Sequence, residues 1–132
     1  MYITEKPIDL NSLLSETGSS EAGAVVIFSG QTRNIHDGKG VDYLEYEAQT
    51  SMAEKSMEEI IMTAKKRWNL IYAHAVHRIG RVNIGESSVV IITVSGHRKE
   101  AYEANRFIID TIKEQTPVWK KEYYTDGSNT WK

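Results

Sequence analysis

Two dense apolar runs most constrain how this chain can fold. Residues 24–28 are continuously apolar between Gly23 and Gly30, and residues 89–94 form a second dense run. Runs without polar alternation are typical of strands that are buried on both faces. We therefore expect residues 24–28 to be a central strand of a sheet that is covered on both sides.

Periodic apolar positions predict two long helices, which alternate with further strands along the chain. A helix is expected from Thr50 or Ser51 to Trp68, and another from Lys99 to Gln115, which Pro117 ends. A short helix at 8–14 with Asp9 as N-cap, a mobile polar loop at 31–40, and strands at 41–48, 70–79, 87–95 and 118–124 complete the prediction. This order predicts an α+β fold with a mainly antiparallel sheet.

Length and composition predict one domain spanning residues 1–132. The chain has no cysteine, which excludes disulfides, thiolate metal sites and a cysteine nucleophile. No apolar run approaches the ~18 residues of a membrane span, and the N-terminus lacks a basic segment followed by an apolar stretch. We expect a soluble, cytoplasmic protein that does not bind membranes.

The net charge of -2 hides an asymmetry along the chain. Residues 1–60 contain 11 acidic and 4 basic side chains, whereas residues 61–132 contain 7 acidic and 12 basic ones. Anionic ligands are therefore expected at the C-terminal half. Nucleic acid is not an expected partner, because acidic side chains interrupt the basic half and no aromatic strand motif is present.

A basic pair follows the second apolar run. His97 and Arg98 come after a glycine, where a helix is expected to begin. Free N–H groups and the helix dipole at such a position can hold a phosphate or a carboxylate. A solvated strand end with an incidental basic pair explains the pattern equally well.

Two lysines flank the turn at Pro117. Lys113 ends a helix and Lys120 begins a strand, so the turn could bring their ammonium groups together. A crowded or desolvated lysine can serve as base, acid or nucleophile near neutral pH. Taken alone, helix-end lysines more often complement the helix dipole. Arg33, in the polar loop, could close over an anion with its fork of hydrogen-bond donors. A lone arginine in a loop is only a weak signal of an anion site.

Other ionisable residues give weaker signals. His74 and His77 alternate on a strand without nearby carboxylates, so structural roles are favoured and no metal site is expected. Glu45 and Glu47 share a strand face and could act in acid/base chemistry, although an exposed sheet face explains them equally well.

Taken in order, several short segments resemble one known family. They are Gly23-Ala24-Val25-Val26 with Phe28, Gly30 and Arg33, Leu44-Glu45-Tyr46-Glu47-Ala48 with Met52-Ala53, His77-Arg78-Ile79-Gly80, Gly85-Glu86, His97-Arg98, and Pro117-Val118-Trp119-Lys120-Lys121-Glu122. Each segment is weakly specific, but their order and spacing are highly specific. The chain resembles the large, catalytic subunit of molybdopterin synthase, the MoaE family, from about residue 3 to Trp131.

The resemblance implies an α/β-hammerhead fold and a sulfurtransferase reaction of molybdenum cofactor biosynthesis. Cyclic pyranopterin monophosphate would become molybdopterin by gaining two dithiolene sulfurs, without a bound cofactor. Lys113 and Lys120 would act at the reacting carbon, through proton transfer or a transient covalent link, and these two roles remain open. The implied substrate site comprises Gln31, Thr32, Arg33, His97, Arg98, Lys113, Lys120, Lys121 and Glu122.

The same resemblance implies specific partners. Sulfur would come from the Gly-Gly thiocarboxylate tail of a small ubiquitin-like subunit, within a heterotetramer built on a homodimer of large subunits. The alternative is a non-catalytic module that only docks such a ubiquitin-like partner. A module of that kind would need no substrate pocket, so it would tolerate the loss of Arg33 or His97.

Overall fold

The computed structural model describes residues 1–132 and contains three helices and nine strands. The helices are α1 (Leu10–Leu14), α2 (Thr50–Trp68) and α3 (Arg98–Gln115). The strands are β1 (Ile3–Thr4), β2 (Ala24–Gln31), β3 (Ile35–His36), β4 (Lys39–Ala48), β5 (Tyr72–Arg78), β6 (Gly80–Asn83), β7 (Ser87–Ser95), β8 (Val118–Tyr124) and β9 (Asn129–Trp131).

These strands form two sheets. The first has the order β1-β5-β7-β2, and every pair except β1 with β5 is antiparallel. The second is antiparallel with the order β3-β4-β8-β9, and β6 also pairs with β4. The predicted α+β class, with a mainly antiparallel arrangement and two long helices, is confirmed.

The main core lies between the first sheet and the two long helices. Met57 of α2, Ile108 of α3 and Ile91 of β7 are fully buried in it. On the opposite face of β7, Val90, Ile92 and Val94 pack against residues of α1 and its flanks. Strand β7 is therefore the strand that is buried on both faces.

The prediction that residues 24–28 form a central, doubly buried strand is wrong. Strand β2 lies at the edge of its sheet and pairs only with β7. Helix α3 covers one of its faces, where Asn105 donates a hydrogen bond to the Val26 carbonyl at 3.1 Å. On the other face Val25 and Ile27 remain 45% and 37% exposed. A continuous apolar run shows that both faces of a strand are apolar, but it does not show which other elements cover those faces.

Local signals fix the helix ends close to the predicted positions. Asp9 caps α1 by accepting hydrogen bonds from the backbone N–H groups of Asn11 and Ser12. Helix α2 is capped by Gln49, one residue before the expected Thr50, through its Oε1 and the N–H of Met52. Helix α3 ends at Gln115, ahead of Pro117, as predicted. No helix is long and apolar enough to cross a bilayer.

Candidate active site

A cavity of about 370 Å³ opens where the two sheets meet the C-terminal end of α3. Its walls come from the end of β2, the loop that follows it, strands β4, β5 and β8, and the last turns of α3. The polar and charged side chains that line it are Gln31, Thr32, Arg33, His36, Tyr46, His77, Ser88, Lys113, Thr116, Lys120 and Glu122.

An irregularity in β2 directs the chain into this cavity. The pairing of β2 with β7 shifts register between Gly30 and Gln31, which is the position of a β-bulge. A Cβ atom on Gly30 would lie 2.9 Å from Val89 Cγ1, so glycine fits the close approach best. The next residue, Thr32, is held by backbone hydrogen bonds to Glu86 (3.2 Å) and Gly85 (2.9 Å). These hydrogen bonds therefore fix the position of the chain where the loop that carries Arg33 begins.

Thr32, one of the residues that line the cavity, has a buried polar atom without a partner. The residue is 4% exposed, and its Oγ1 has no hydrogen-bond partner in the protein. Buried hydroxyl groups without partners are uncommon, because each loses its hydration without compensation. Because Oγ1 is fully buried, a ligand in the cavity does not contact it in this arrangement.

The turn between α3 and β8 places two lysines on the same cavity. Lys113 lies in the last turn of α3 and Lys120 on β8, and both line the cavity. Pro117 accepts a hydrogen bond from the Gln49 N–H at 3.2 Å, and Thr116 Oγ1 lies 3.0 Å from Ser56 Oγ. These contacts fix the turn against α2. The sequence predicts that this turn brings Lys113 and Lys120 together, and both lysines line the same cavity in the structure.

Glu122 is the one carboxylate that lines the cavity, and its oxygens are heavily engaged. His36 Nδ1 lies 2.7 Å from Oε2, the Tyr124 hydroxyl donates to Oε1 at 2.8 Å, and Lys132 Nζ lies 3.5 Å from Oε1. Burial alone would raise the pKa of this carboxyl. The hydrogen bonds from Tyr124 and His36, with the charges of His36 and Lys132, outweigh burial and hold the pKa below its ordinary value.

A buried histidine and a half-buried tyrosine also line the cavity. The rings of His77 and Tyr46 meet edge to face, with centroids 5.0 Å apart. Burial raises the pKa of the Tyr46 phenol, so it stays protonated near neutral pH. Burial lowers the pKa of His77; its hydrogen bond to the Arg78 carbonyl opposes this, and the charge of Lys113 lowers the pKa further.

The cations of the cavity have no anionic partner within the chain. Arg33, Lys113 and Lys120 line it, and none of them forms a salt bridge. The single carboxylate is already held by other groups. The cavity is therefore suited to a small anionic ligand, of the size and polarity that such pockets take.

Most of the sequence-predicted site residues meet here, but three do not. Gln31, Thr32, Arg33, Lys113, Lys120 and Glu122 all line the cavity. Lys121 lies on the opposite face of β8, where its ammonium group sits over the rings of Tyr123 and Trp131. It does not line the cavity.

His97 and Arg98 also lie away from the cavity of their own chain. Both are exposed at the start of α3, whereas Lys113 is in its last turn. Fifteen residues of helix separate Arg98 from Lys113, which is about 22 Å along the axis. Neither residue lines the cavity.

Sequence reasoning missed two cavity histidines. His36 fell within a loop that was expected to be mobile, and His77 was assigned a structural role. The loop instead forms a short hairpin of β3 with the start of β4, which carries His36 to Glu122. The His-Arg-Ile-Gly segment marked His77 as part of the family pattern without indicating a position in the site. No group of three or more His, Asp or Glu side chains is placed to hold a metal.

Comparison with known proteins identifies the family. The family model described as "MoaE protein" matches residues 3–115. This chain belongs to the MoaE family. It is 46% identical to the molybdopterin synthase catalytic subunit of Thermoplasma volcanium, over 98% of this chain and 94% of that one. It is 47% identical to the catalytic subunit from Dictyostelium discoideum, over 98% and 84% of the two chains.

The fold agrees with the same assignment. The crystal structure of molybdopterin synthase from Staphylococcus aureus superposes with a TM-score of 0.93, at 39% identity, over 99% of this chain and 95% of that one. The family and the fold predicted from the sequence segments are thereby confirmed. Members of the MoaE family named in this way are enzymes, so the prediction of an enzyme rather than a docking module is also supported.

Proposed function

We propose that this MoaE chain is the sulfur-transferring catalytic subunit of a molybdopterin synthase and uses the cavity beside Lys113 and Lys120 as its active site. The observation that carries the proposal is the set of unpaired cations, Arg33, Lys113 and Lys120, around one cavity. Its substrate is cyclic pyranopterin monophosphate, which becomes molybdopterin. Residues 1–132 act as one catalytic unit in the cytoplasm, without a bound cofactor.

The substrate's phosphate and its pterin ring need different partners. The guanidinium group of Arg33 suits the phosphate, because it can donate two parallel hydrogen bonds to phosphate oxygens. Gln31, beside Thr32 in the cavity wall, suits the polar edge of the pterin. Lys113 and Lys120 then face the carbons that gain sulfur. Their ammonium groups stabilise negative charge there, and either one can transfer a proton or bind the acyl carbon of the partner tail.

Sulfur is supplied by the thiocarboxylate tail of a small ubiquitin-like subunit. This partner agrees with a chain that has no cysteine of its own to carry sulfur. An extended Gly-Gly tail is narrow enough to reach a cavity of this size. Its anionic end is attracted by the same cations that hold the substrate.

A homodimer of MoaE chains forms the centre of the assembly. The exposed apolar face of the edge strand β2, around Val25 and Ile27, supports such an interface. The dimer also accounts for His97 and Arg98. Since they are about 22 Å from Lys113 along α3, a second chain has to bring them to the cavity if they bind substrate.

The test is reconstitution with purified components. The chain is mixed with cyclic pyranopterin monophosphate and a thiocarboxylated small subunit, and dithiolene product is measured by mass spectrometry. Lys113→Ala and Lys120→Ala should each lower turnover by about 10² or more while leaving partner binding intact. Lys121→Ala is the matched control, because it removes the neighbouring charge outside the cavity and should leave turnover nearly unchanged.

Two outcomes would contradict the proposal. An active Lys120→Ala variant would remove that lysine from the mechanism. If the wild-type chain bound both the partner and the substrate but formed no product, the non-catalytic docking module would be the better description.

A further inference from the structure

His77 is a buried ionisable group that is held in place on the cavity. It is 8% exposed, and its backbone N–H donates to the Tyr2 carbonyl at 2.7 Å, where β1 pairs with β5. Its ring packs against Tyr46, and the side chain lines the cavity with Lys113 and Lys120. His77 therefore belongs to the wall of the cavity although it is almost completely buried.

The hydrogen bond at one ring nitrogen determines the state of the other. Nδ1 lies 2.8 Å from the carbonyl oxygen of Arg78. A carbonyl oxygen only accepts, so Nδ1 carries the proton and donates it. In the neutral ring, Nε2 then has a free lone pair. No protein group pairs with Nε2, and it is not among the fully buried unpaired atoms.

The other groups of the cavity are less suited to accept a proton. Ammonium and guanidinium groups have no free lone pair while charged, which applies to Lys113, Lys120 and Arg33. The oxygens of Glu122 already accept from His36 and Tyr124. The ring nitrogens of His36 face the carboxylates of Glu122 and Asp37. Nε2 of His77 is the uncommitted basic nitrogen of the cavity.

We infer that His77 is the base that activates water to release the small subunit after each sulfur transfer. The inference rests on the proposed function and takes the first of its two open lysine roles, proton transfer, so that the tail's sulfur joins the tail to the substrate as a thioester. Water attacks the acyl carbon of that thioester while Nε2 of His77 accepts one water proton. The acyl carbon–sulfur bond breaks, and its electron pair stays on sulfur as a substrate thiolate. The tail leaves as a carboxylic acid that loses its proton to solvent, and no oxidant or reductant is required.

The surroundings of His77 keep this base neutral. The charged and titratable groups that line the cavity with it are Lys113 from α3, Lys120 and Glu122 from β8, Arg33 from the loop after β2, and His36 from β3. Tyr46 of β4 is a neutral phenol, and β2 and β7 present no charged group to the cavity. Burial and the charge of Lys113 both disfavour the imidazolium, so the pKa of His77 lies below its ordinary value. The base therefore remains available throughout the neutral range.

The test follows the covalent intermediate rather than turnover alone. His77→Asn keeps a donor for the Arg78 carbonyl and removes Nε2, whereas His77→Gln keeps a polar group near Nε2 without its basicity. Each variant is mixed with the thiocarboxylated small subunit and cyclic pyranopterin monophosphate, and intact masses are recorded over a single turnover. Both variants should accumulate the adduct of small subunit and substrate, with release slowed by about 10² or more.

A second histidine on the same strand provides the matched control. His74 points to the opposite face of β5, stacks on Tyr2 and also has a pKa lowered chiefly by burial. His74→Asn should release the partner at the wild-type rate. In the wild type, the release rate should fall by about tenfold per pH unit below the pKa of His77. His77→Gln should lose this dependence.

The outcomes separate the inference from the proposed function. Wild-type release without an acidic limb, or a His77→Asn variant that releases the partner as fast as His74→Asn, would overturn the role of His77 while leaving the synthase activity in place. An amide between the tail and Lys113 or Lys120, in place of the thioester, would overturn it as well. No product from the wild-type chain would instead count against the proposed function. The wild-type pH profile decides the question even if both His77 variants fail to fold.

Discussion

Replacing Glu122 by glutamine is expected to destabilise the fold by about 2 kcal/mol at neutral pH. The carboxylate is 3% exposed and accepts hydrogen bonds from His36 and Tyr124. Hydrogen bonds to a charged group contribute about 1.5–3 kcal/mol each, and the neutral amide oxygen of glutamine retains roughly half of that. The pair with the partly exposed Lys132 adds little. For a chain of 132 residues, a loss of this size lowers the Tm by about 7 °C.

The pH dependence of the same substitution gives a sharper test. The pKa of Glu122 is lower in the folded chain than in the unfolded one, so the carboxylate stabilises the fold above the unfolded value of about 4.3. That stabilisation disappears as the pH falls through the folded value, because a protonated carboxyl resembles the glutamine amide. The stability difference between the wild type and the variant should therefore be largest at pH 7 and smaller at pH 3, which lies below the unfolded value.

Urea unfolding at the two pH values measures this difference. Glu47→Gln is the control, because Glu47 is exposed on the neighbouring strand β4 and makes no hydrogen bond or salt bridge. It should change the unfolding midpoint little at either pH. A Glu122→Gln variant that lost the same stability at pH 7 and at pH 3, or lost none, would refute the assignment of the low pKa to these hydrogen bonds.

Three further predictions test the assembly and the fold. A mixture of inactive His97→Ala and Lys120→Ala chains should recover about a quarter of wild-type turnover if each cavity draws on two chains; no recovery after subunit exchange would place the site in one chain. Asn105→Ala should cost about 1–3 kcal/mol in urea unfolding, because Nδ2 of Asn105 donates to the Val26 and Ile91 carbonyls; an unchanged midpoint would contradict this. Gly23→Ala should lower the Tm, because its Cβ would clash with the Gly96 carbonyl oxygen; an unaltered Tm would argue against that close approach.

The long elements could be predicted because their signals are local. The apolar stripe of α2, the cap of Asp9 and the stop at Pro117 each act within a few residues of chain. The short strands β1, β3, β6 and β9 were not predicted, because two to four residues carry no periodicity of their own. Their pairing depends on neighbours that are distant in sequence. The same limit explains the wrong prediction for β2, because an apolar run alone does not distinguish an edge strand from a central strand.

The positions of some active-site residues could likewise be predicted from local sequence, and the positions of others could not. Lys113 and Lys120 are separated by seven positions and one turn, so their approach to each other could be inferred from the chain alone. Alternation along β8 predicts that Lys120 and Lys121 lie on opposite faces of the strand. The sequence does not predict which of these two faces lines the cavity, because that depends on how the strand is oriented in the fold. The positions of His36 and His77 depend on how β4, β5 and β8 pack, and no short-range pattern reports that.

The arrangement of charges explains why the cavity attracts an anion. The three cations of the cavity, Arg33, Lys113 and Lys120, would be partly neutralised within the chain if the one carboxylate of the cavity paired with them. Glu122 is instead occupied by His36 and Tyr124, and by Lys132 from the C-terminal segment. The hairpin that carries His36 thus supplies one of the groups that bind the Glu122 carboxylate, whereas Lys113 and Lys120 form no salt bridge with it. Loss of His36 should therefore weaken substrate binding through Glu122, even though His36 itself need not contact the substrate.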